Sequence, residues 1–390
     1  MGGKALKNTP LRRITAAEYA ALSTRVLSIV GKYYRRAEIP SALHGKPDFG
    51  DLDVVVAGPT GQTFPNPTAL PNTFGKLPPA THFLALEFRS KEVVHNGPVT
   101  SFELDEFQID IVQATLENID FAVAWMAWGD VGNIVGVVAN RMGLMFGFDG
   151  LGMRVLSNRH VTRIGQVTLT QKFPEALKFL GYDYERWRKG FVGQEDAFEF
   201  LVSGAHFEPE MFLRENLSRN SKERSHKRPM FENFLKYVGG RFSMESEVAE
   251  RSSKLESGDG NESAQDRLEN LTPLQTTHRL RALEFFGKRA AYDLIIERDV
   301  VQANIKQRFL PAVENIRKVK ALEQRPLGQF IASYKASKAS VQIDEEELPR
   351  ASGIASEVIN SLGNWEKWVL SRTDERSIVR DMEEYYESMK

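Results

Sequence analysis

The chain contains no cysteine. That excludes disulfides, zinc held by thiolates and a cysteine nucleophile, and it fits an intracellular setting. No apolar run approaches the ~18–20 residues of a membrane-spanning helix. The opening Met1-Gly-Gly-Lys-Ala-Leu-Lys7 has no apolar core for a secretory signal, and Leu6 stands where a myristoylation pattern has Ser or Thr. Arg12, Arg13 and Arg25 give a faint transit-peptide composition, which Glu18 opposes. Cytoplasm or nucleus is therefore expected, with the mitochondrion as the alternative. Charge of one sign is also lacking: 51 Lys and Arg against 52 Asp and Glu leave a net −1. Nothing global demands a polyanionic partner, so basic patches must be sought locally. No internal repeat stands out.

What is present is a chain of 390 residues, 42% hydrophobic, long enough for two domains and a sizeable core. Its centre of interest is Ser41-Ala-Leu-His-Gly45-Lys46-Pro-Asp-Phe-Gly50-Asp51-Leu-Asp53-Val-Val-Val56. This reads as a glycine-bearing turn running into a buried strand. Side chains alternate along a strand, so Asp51 and Asp53 share a face while Leu52 and Val54 take the other. Two carboxylates so close would share a proton unless a cation sits between them. A second strand-like run, Phe107-Gln108-Ile109-Asp110-Ile111-Val112, carries one acid among β-branched neighbours. If the two strands are adjacent, Asp110 joins the pair, and three carboxylates can hold two metal ions about 3.5–4 Å apart, the arrangement used in phosphoryl transfer.

Around these runs, residues 13–34 predict a helix, with Thr15 and Glu18 forming a capping box and Tyr19, Leu22, Val26 and Val30 at helical spacing. Its basic end, Lys32, Arg35 and Arg36, reads as a solvated terminus or as a face for nucleic acid. Residues 58–79 are dense in proline and glycine and predict a surface connection. His82–Arg89 predicts a strand, and 99–112 one long strand or two with a kink near Asp105-Glu106. Helices follow at 116–128 and up to Arg141, then a turn-rich strand region at 143–152. This order is α+β: a mixed sheet with helices on one face. Beyond about 160 the chain turns helical, at 173–180 with Thr170 as cap, and at 194–203, 208–217 and 229–238. Residues 243–272 have the composition of a flexible acidic linker. A last helical block covers 273–340, breaks at Asp344-Glu-Glu-Glu347 and Pro349, and resumes to the end.

The pattern Ser41-x-x-x-Gly45-Lys46 followed by Gly50-Asp51-x-Asp53, with a strand Asp further on, resembles the nucleotidyltransferase superfamily of DNA polymerase beta. The closest likeness is to family X DNA polymerases, over roughly 38–155. The resemblance implies a polymerase beta palm-like fold at 38–158, between an N-terminal basic helix (1–37) and a helical domain (159–242). The linker and a C-terminal helical region (273–390) follow. It implies two Mg2+ or Mn2+ ions on Asp51, Asp53 and Asp110. It implies a nucleoside triphosphate cradled by the Ser41 hydroxyl and by backbone N–H groups around Gly45, with Gly50 in the turn. Lys46 would be either an added point charge or a solvated lysine. Trp125 and Met126 would lie against sugar and base, with Asn133 at the base edge; alternatively Trp125 is core and Gly129 a helix cap. The chain departs from the family at Pro40, at Leu43 and His44 in place of an arginine pair, and at Gln108. Family X template-handling modules have no counterpart. DNA or RNA contacts would fall to Arg219, Lys222, Arg224, Lys227 and Arg228, or to Lys306, Arg308, Arg317, Lys318 and Lys320. These charges also read as solvated helix faces. The expected activity is transfer of a nucleotidyl group to a hydroxyl, first of DNA, alternatively of RNA, tRNA, a protein or a small molecule. The rival is a catalytically silent nucleic-acid-binding or scaffold protein.

Overall fold

A computed structural model describes residues 5–60, 79–157, 162–242, 271–320, 324–341, 343, 348, 354–372 and 374–389, without the side chains of 318–320 and 324–326. The expected linker at 243–272, most of the connection at 58–79, the acidic break at 344–347 and the side chains of Lys318 and Lys320 therefore lie outside the described residues. The chain is α+β and divides into two compact units, one of residues 1–153 with 168–286 and one of 154–167 with 287–390.

The first unit is built on a mixed five-stranded sheet. Its strands are β2 (Tyr34–Glu38), β4 (Asp51–Pro59), β7 (Phe107–Gln113), β6 (Val99–Leu104) and β5 (Val93–Asn96), in that spatial order. Only β4 and β7 run parallel; β2–β4, β7–β6 and β6–β5 are antiparallel. Leu52, Val54, Val55, Val56 and Ala57 are all buried because β4 is covered on both faces. One face packs with Ile109, Ile111 and Phe102 against α1 (Ala16–Val30) and α2 (Pro79–Glu87), which bring Val26, Val30 and Leu84. The other face, through Val55, Ala57 and Val112, meets α3 (Ile119–Met126) at Ile119 and Ala122. Such two-sided burial is what a run of β-branched residues without alternation signals. Asp105 and Glu106 both have positive φ, 53° and 62°, so the expected kink is the two-residue turn of a β6–β7 hairpin. Two short strands, β1 (Ile14–Thr15) and β3 (Asp48–Phe49), pair beside it, and β8 (Met145–Gly147), β9 (Gly150–Leu156) and β10 (Arg163–Thr170) form a three-stranded sheet.

The Thr15–Glu18 capping box is present, and α1 starts on it. The helix ends at Val30, however, because Tyr34–Glu38 is taken up as β2. Lys32 then pairs with Glu87, and Arg36 with Glu38 and Asp120, so this basic end is largely ion-paired. The strand expected at His82–Arg89 is instead α2: Leu84, Ala85 and Phe88 bury one side of a helical turn. A short apolar run carries no period long enough to separate the two states.

After α4 (Val131–Arg141), the unit adds α5 (Phe173–Phe179), α6 (Tyr184–Lys189), α7 (Gln194–Val202), α8 (Arg219–Lys227), α9 (Pro229–Arg241) and α10 (Pro273–Phe285). Lys172, not Thr170, caps α5; Thr170 accepts the Lys172 N–H and donates to Glu175. The helix expected at 208–217 is two 3-10 turns, Pro209–Phe212 and Arg214–Asn216. The second unit packs α11 (Arg289–Lys320), α12 (Gln324–Ala339), α13 (Ser356–Asn360), α14 (Asn364–Ser371) and α15 (Glu375–Ser388) around Phe309, Tyr334, Trp368 and Ile378. In it Arg308 donates to the Arg372 carbonyl and Lys306 borders a cavity. No single described helix is long and apolar enough to cross a membrane.

Gly190 ends α6 with φ 80°, and a Cβ there would stand 2.4 Å from the Trp128 ring. Gly190→Ala should therefore cost roughly 2 kcal/mol or more of stability, measured by chemical denaturation, from backbone strain and overpacking together.

Candidate metal and nucleotide site

The parallel register sets Asp53 directly opposite Asp110 and Asp51 opposite Gln108. Neighbouring strands lie only about 4.8 Å apart. Asp51, Asp53, Gln108 and Asp110 thus share one face at the start of β4, next to the part of that face covered by α3. Burial raises the Asp53 carboxyl to about 8, with Asp51 and Asp110 adding like-charge repulsion and Lys46 and Arg228 opposing it. Burial likewise raises Asp110 to about 6, against hydrogen bonds from Ser101 and Gln108. Ser101 is the β6 partner of Asp110, and Gln108 Nε2 donates to both Asp110 oxygens at 2.9 Å. The Ala5 N–H holds Gln108 from the other side, through its Oε1 at 3.0 Å.

Among the described residues no three Asp, Glu or His side chains stand close enough together to hold a metal ion. Gathering the trio around one ion requires Asp110 to exchange its Gln108 and Ser101 partners for that ion. The donor set itself fits a hard dication: it is all carboxylate oxygen, and its members repel each other in a buried place.

The loop before β4 differs from the cradle expected of it. The His44 N–H donates to the Phe191 carbonyl, Gly45 N–H to Val192 and Lys46 N–H to Leu43. These three amides are already engaged, so they do not form an open anion nest. A Cβ at Gly45 would meet the Val192 carbonyl oxygen at 2.9 Å, so glycine is required there by packing against 191–192. Ser41 is exposed at the surface, and its carbonyl accepts the Trp128 N–H at 2.7 Å. Gly50 is buried at the bend between β3 and β4. The Lys46 ammonium lies 4.4 Å over the Phe49 ring, whose centroid is 3.8 Å from that of Tyr19. Burial lowers the Lys46 pKa although Asp51 and Asp53 favour its charge, and burial beside those acids raises that of Tyr19. Lys46 is therefore a partly buried cation facing the acids.

Helices α3 and α4 meet at 105° around a turn in which Trp128 and Gly129 both have positive φ. Trp125 is half-buried, and its buried indole Nε1–H has no hydrogen-bond partner among the described residues. Asn133 is buried, and its amide faces Asp130 at 3.4 Å. Asp130 also receives Arg228, at 2.7 Å. Arg228 is also near enough to Asp53 for its charge to favour the ionised carboxylate. Lys227 pairs with Glu223, and Lys222 reaches the Glu215 carbonyl. Arg219 and Arg224 are exposed, Arg224 near Asp130. The basic run marks Arg228 only as a nucleic-acid contact; its contact with Asp130 is made only by folding. Gln108 could have been found by the two-residue period that puts it on the face of Asp110. Two cavities, about 400 Å³ beside Phe309, Lys335 and Trp365 and about 270 Å³ beside Leu22, Arg25 and Phe107, are not lined by the acid trio. No protein-family model and no curated protein matches the chain.

Carboxyls held above their ordinary value keep protons that the unfolded chain gives up above about pH 4. Without divalent ions, stability should fall as pH rises from there to about 8, the value for Asp53, and level off beyond it. Melting temperatures in a chelator should show this decline, and Asp53→Asn should remove most of it.

Proposed function

We propose that the chain is a metal-dependent nucleotidyltransferase with a polymerase beta palm-like first unit. The observation that carries this reading is the register of β4 and β7, which gives Asp53 and Asp110 adjacent places on one face with Asp51 beside them. Asp51, Asp53 and Asp110 would hold Mg2+ or Mn2+. Bound there, the ions would neutralise phosphate charge and ease deprotonation of the acceptor hydroxyl. Lys46 supplies a fixed positive charge next to Asp51 and Asp53. The acceptor oxygen attacks the α-phosphorus of the nucleoside triphosphate, the bond from that phosphorus to the β-phosphate oxygen breaks, and pyrophosphate leaves. Asp110, set opposite Asp53 by the register, would take the acceptor proton. Trp125 lies next to the α3–α4 turn with an unused N–H, suited to a sugar or base oxygen. Asn133 would have to leave Asp130 to reach a base. DNA is the first acceptor to test, followed by RNA, tRNA, protein and small molecules.

A second reading, a nucleic-acid-binding or scaffold protein without turnover, is favoured by the engaged amides at 44–46. The two separate in one assay: labelled nucleoside triphosphates with Mg2+ or Mn2+, supplied with primed DNA, RNA or no acceptor. Label transfer is expected, and Asp51→Asn, Asp53→Asn or Asp110→Asn should each lower the rate by roughly a hundredfold or more. Salt-dependent DNA binding with no transfer under any condition would leave the second reading in place.

A further inference from the structure

Opposite the crowded acids stands a crowded pair of cations. Arg228 precedes α9, and its Nη1 donates to Asp130 Oδ1 at 2.7 Å. The Asp130 side chain is only 10% exposed, whereas that of Arg228 is 51% exposed. Among the described residues the other guanidinium N–H groups of Arg228 have no hydrogen-bond partner. Arg224, one turn earlier on α8, is exposed at the surface near the same carboxylate. Its charge is disfavoured first by burial and then by Arg228. Arg228 is bonded to the buried carboxylate and Arg224 stands near it, so the cluster carries a surplus positive charge.

This pair is fixed towards the acids by the backbone. The Asp130 N–H donates to Met230 Sδ at 3.4 Å, tying the start of α4 to α9. The Trp128 N–H, two residues earlier, donates to the Ser41 carbonyl in the loop that leads into β4. Arg228 is near enough to Asp53 for its charge to favour the ionised carboxylate. One half of the site therefore has too many negative charges and the other half too many positive ones. A metal–polyphosphate complex relieves both, its cation towards the acids and its phosphate oxygens towards the guanidiniums.

The geometry points to Arg228, oriented by Asp130 and supported by Arg224, as the residue that binds the terminal phosphates of the nucleotide, in place of the engaged amides at 44–46. This rests on the nucleotidyltransferase reading for its substrate, but its test is a binding measurement. Full-length protein is titrated with inorganic tripolyphosphate and Mg2+ by calorimetry, and separately with Mn2+ by electron paramagnetic resonance. Wild type should bind tripolyphosphate. Arg228→Ala should weaken that binding roughly ten- to a hundredfold while changing Mn2+ affinity less than about twofold, and Arg228→Lys should recover part of the loss. Because Arg228→Ala leaves Asp130 unpaired, the double variant Asp130→Asn with Arg228→Met removes the ion pair as a unit. With its melting curve recorded, it should show the same loss. Absence of tripolyphosphate binding in wild type, or undiminished binding in a folded Arg228 variant, overturns the assignment. Nucleotide transfer that survives Arg228→Ala at full tripolyphosphate affinity sinks this inference and spares the transferase. Tripolyphosphate binding that depends on Arg228, in a protein that binds no Mn2+, does the reverse.

Discussion

The parallel pairing of β4 with β7 forces two carboxylates into a place where neither is easily ionised. Asp53 and Asp110 face each other across one inter-strand spacing, with Asp51 two residues before Asp53 on the same face. Burial and mutual repulsion raise the cost of charging them. That cost is borne by the hydrophobic sheet beneath: Leu52, Val54, Val56, Ile109 and Ile111 are buried against α1 and α2. A face of acids is held rigidly because its reverse is a packed apolar core.

The surroundings of the acids follow from the same constraint. Ser101 and Gln108 hold the Asp110 carboxylate, and the Ala5 N–H fixes the Gln108 amide. Lys46 approaches from the loop before β4, lying over Phe49. Arg228 approaches from the helical part of the unit, held on Asp130. Cations from separate parts of the chain thus converge on the carboxylates. Under the proposed function, the arginine pair of the family X pattern, absent here at Leu43 and His44, would be replaced by guanidiniums from α8 and the residue before α9. The proposed function uses the acids and Lys46; the proposed phosphate contact uses that substitution of one source of charge for another.

Local chemistry was readable where it stayed local. The capping box at Thr15 and the helices at 119–126, 131–141 and 194–202 follow from short-range patterns, whereas at Asp105-Glu106 the sequence suggested only a kink and not the hairpin turn. The segment at 82–89 was not readable, because seven or eight apolar-rich residues fit a strand or a helix equally well until neighbours choose. Gly45 shows the same limit at a single residue. Its lack of a side chain was legible as a close approach, but the partner is the Val192 carbonyl.

From the sequence alone came the α+β order, the strand character of both acid-bearing runs and the common face of Asp51 and Asp53, since a two-residue period is a property of any strand. Only the tertiary structure decided that β4 and β7 are neighbours, that they run parallel, and that their register sets Asp110 against Asp53. It alone brought Arg228 to Asp130 and closed the amides at 44–46. Pairing partners and register depend on the net burial of whole faces, a sum over residues far apart in the chain, which no short stretch contains.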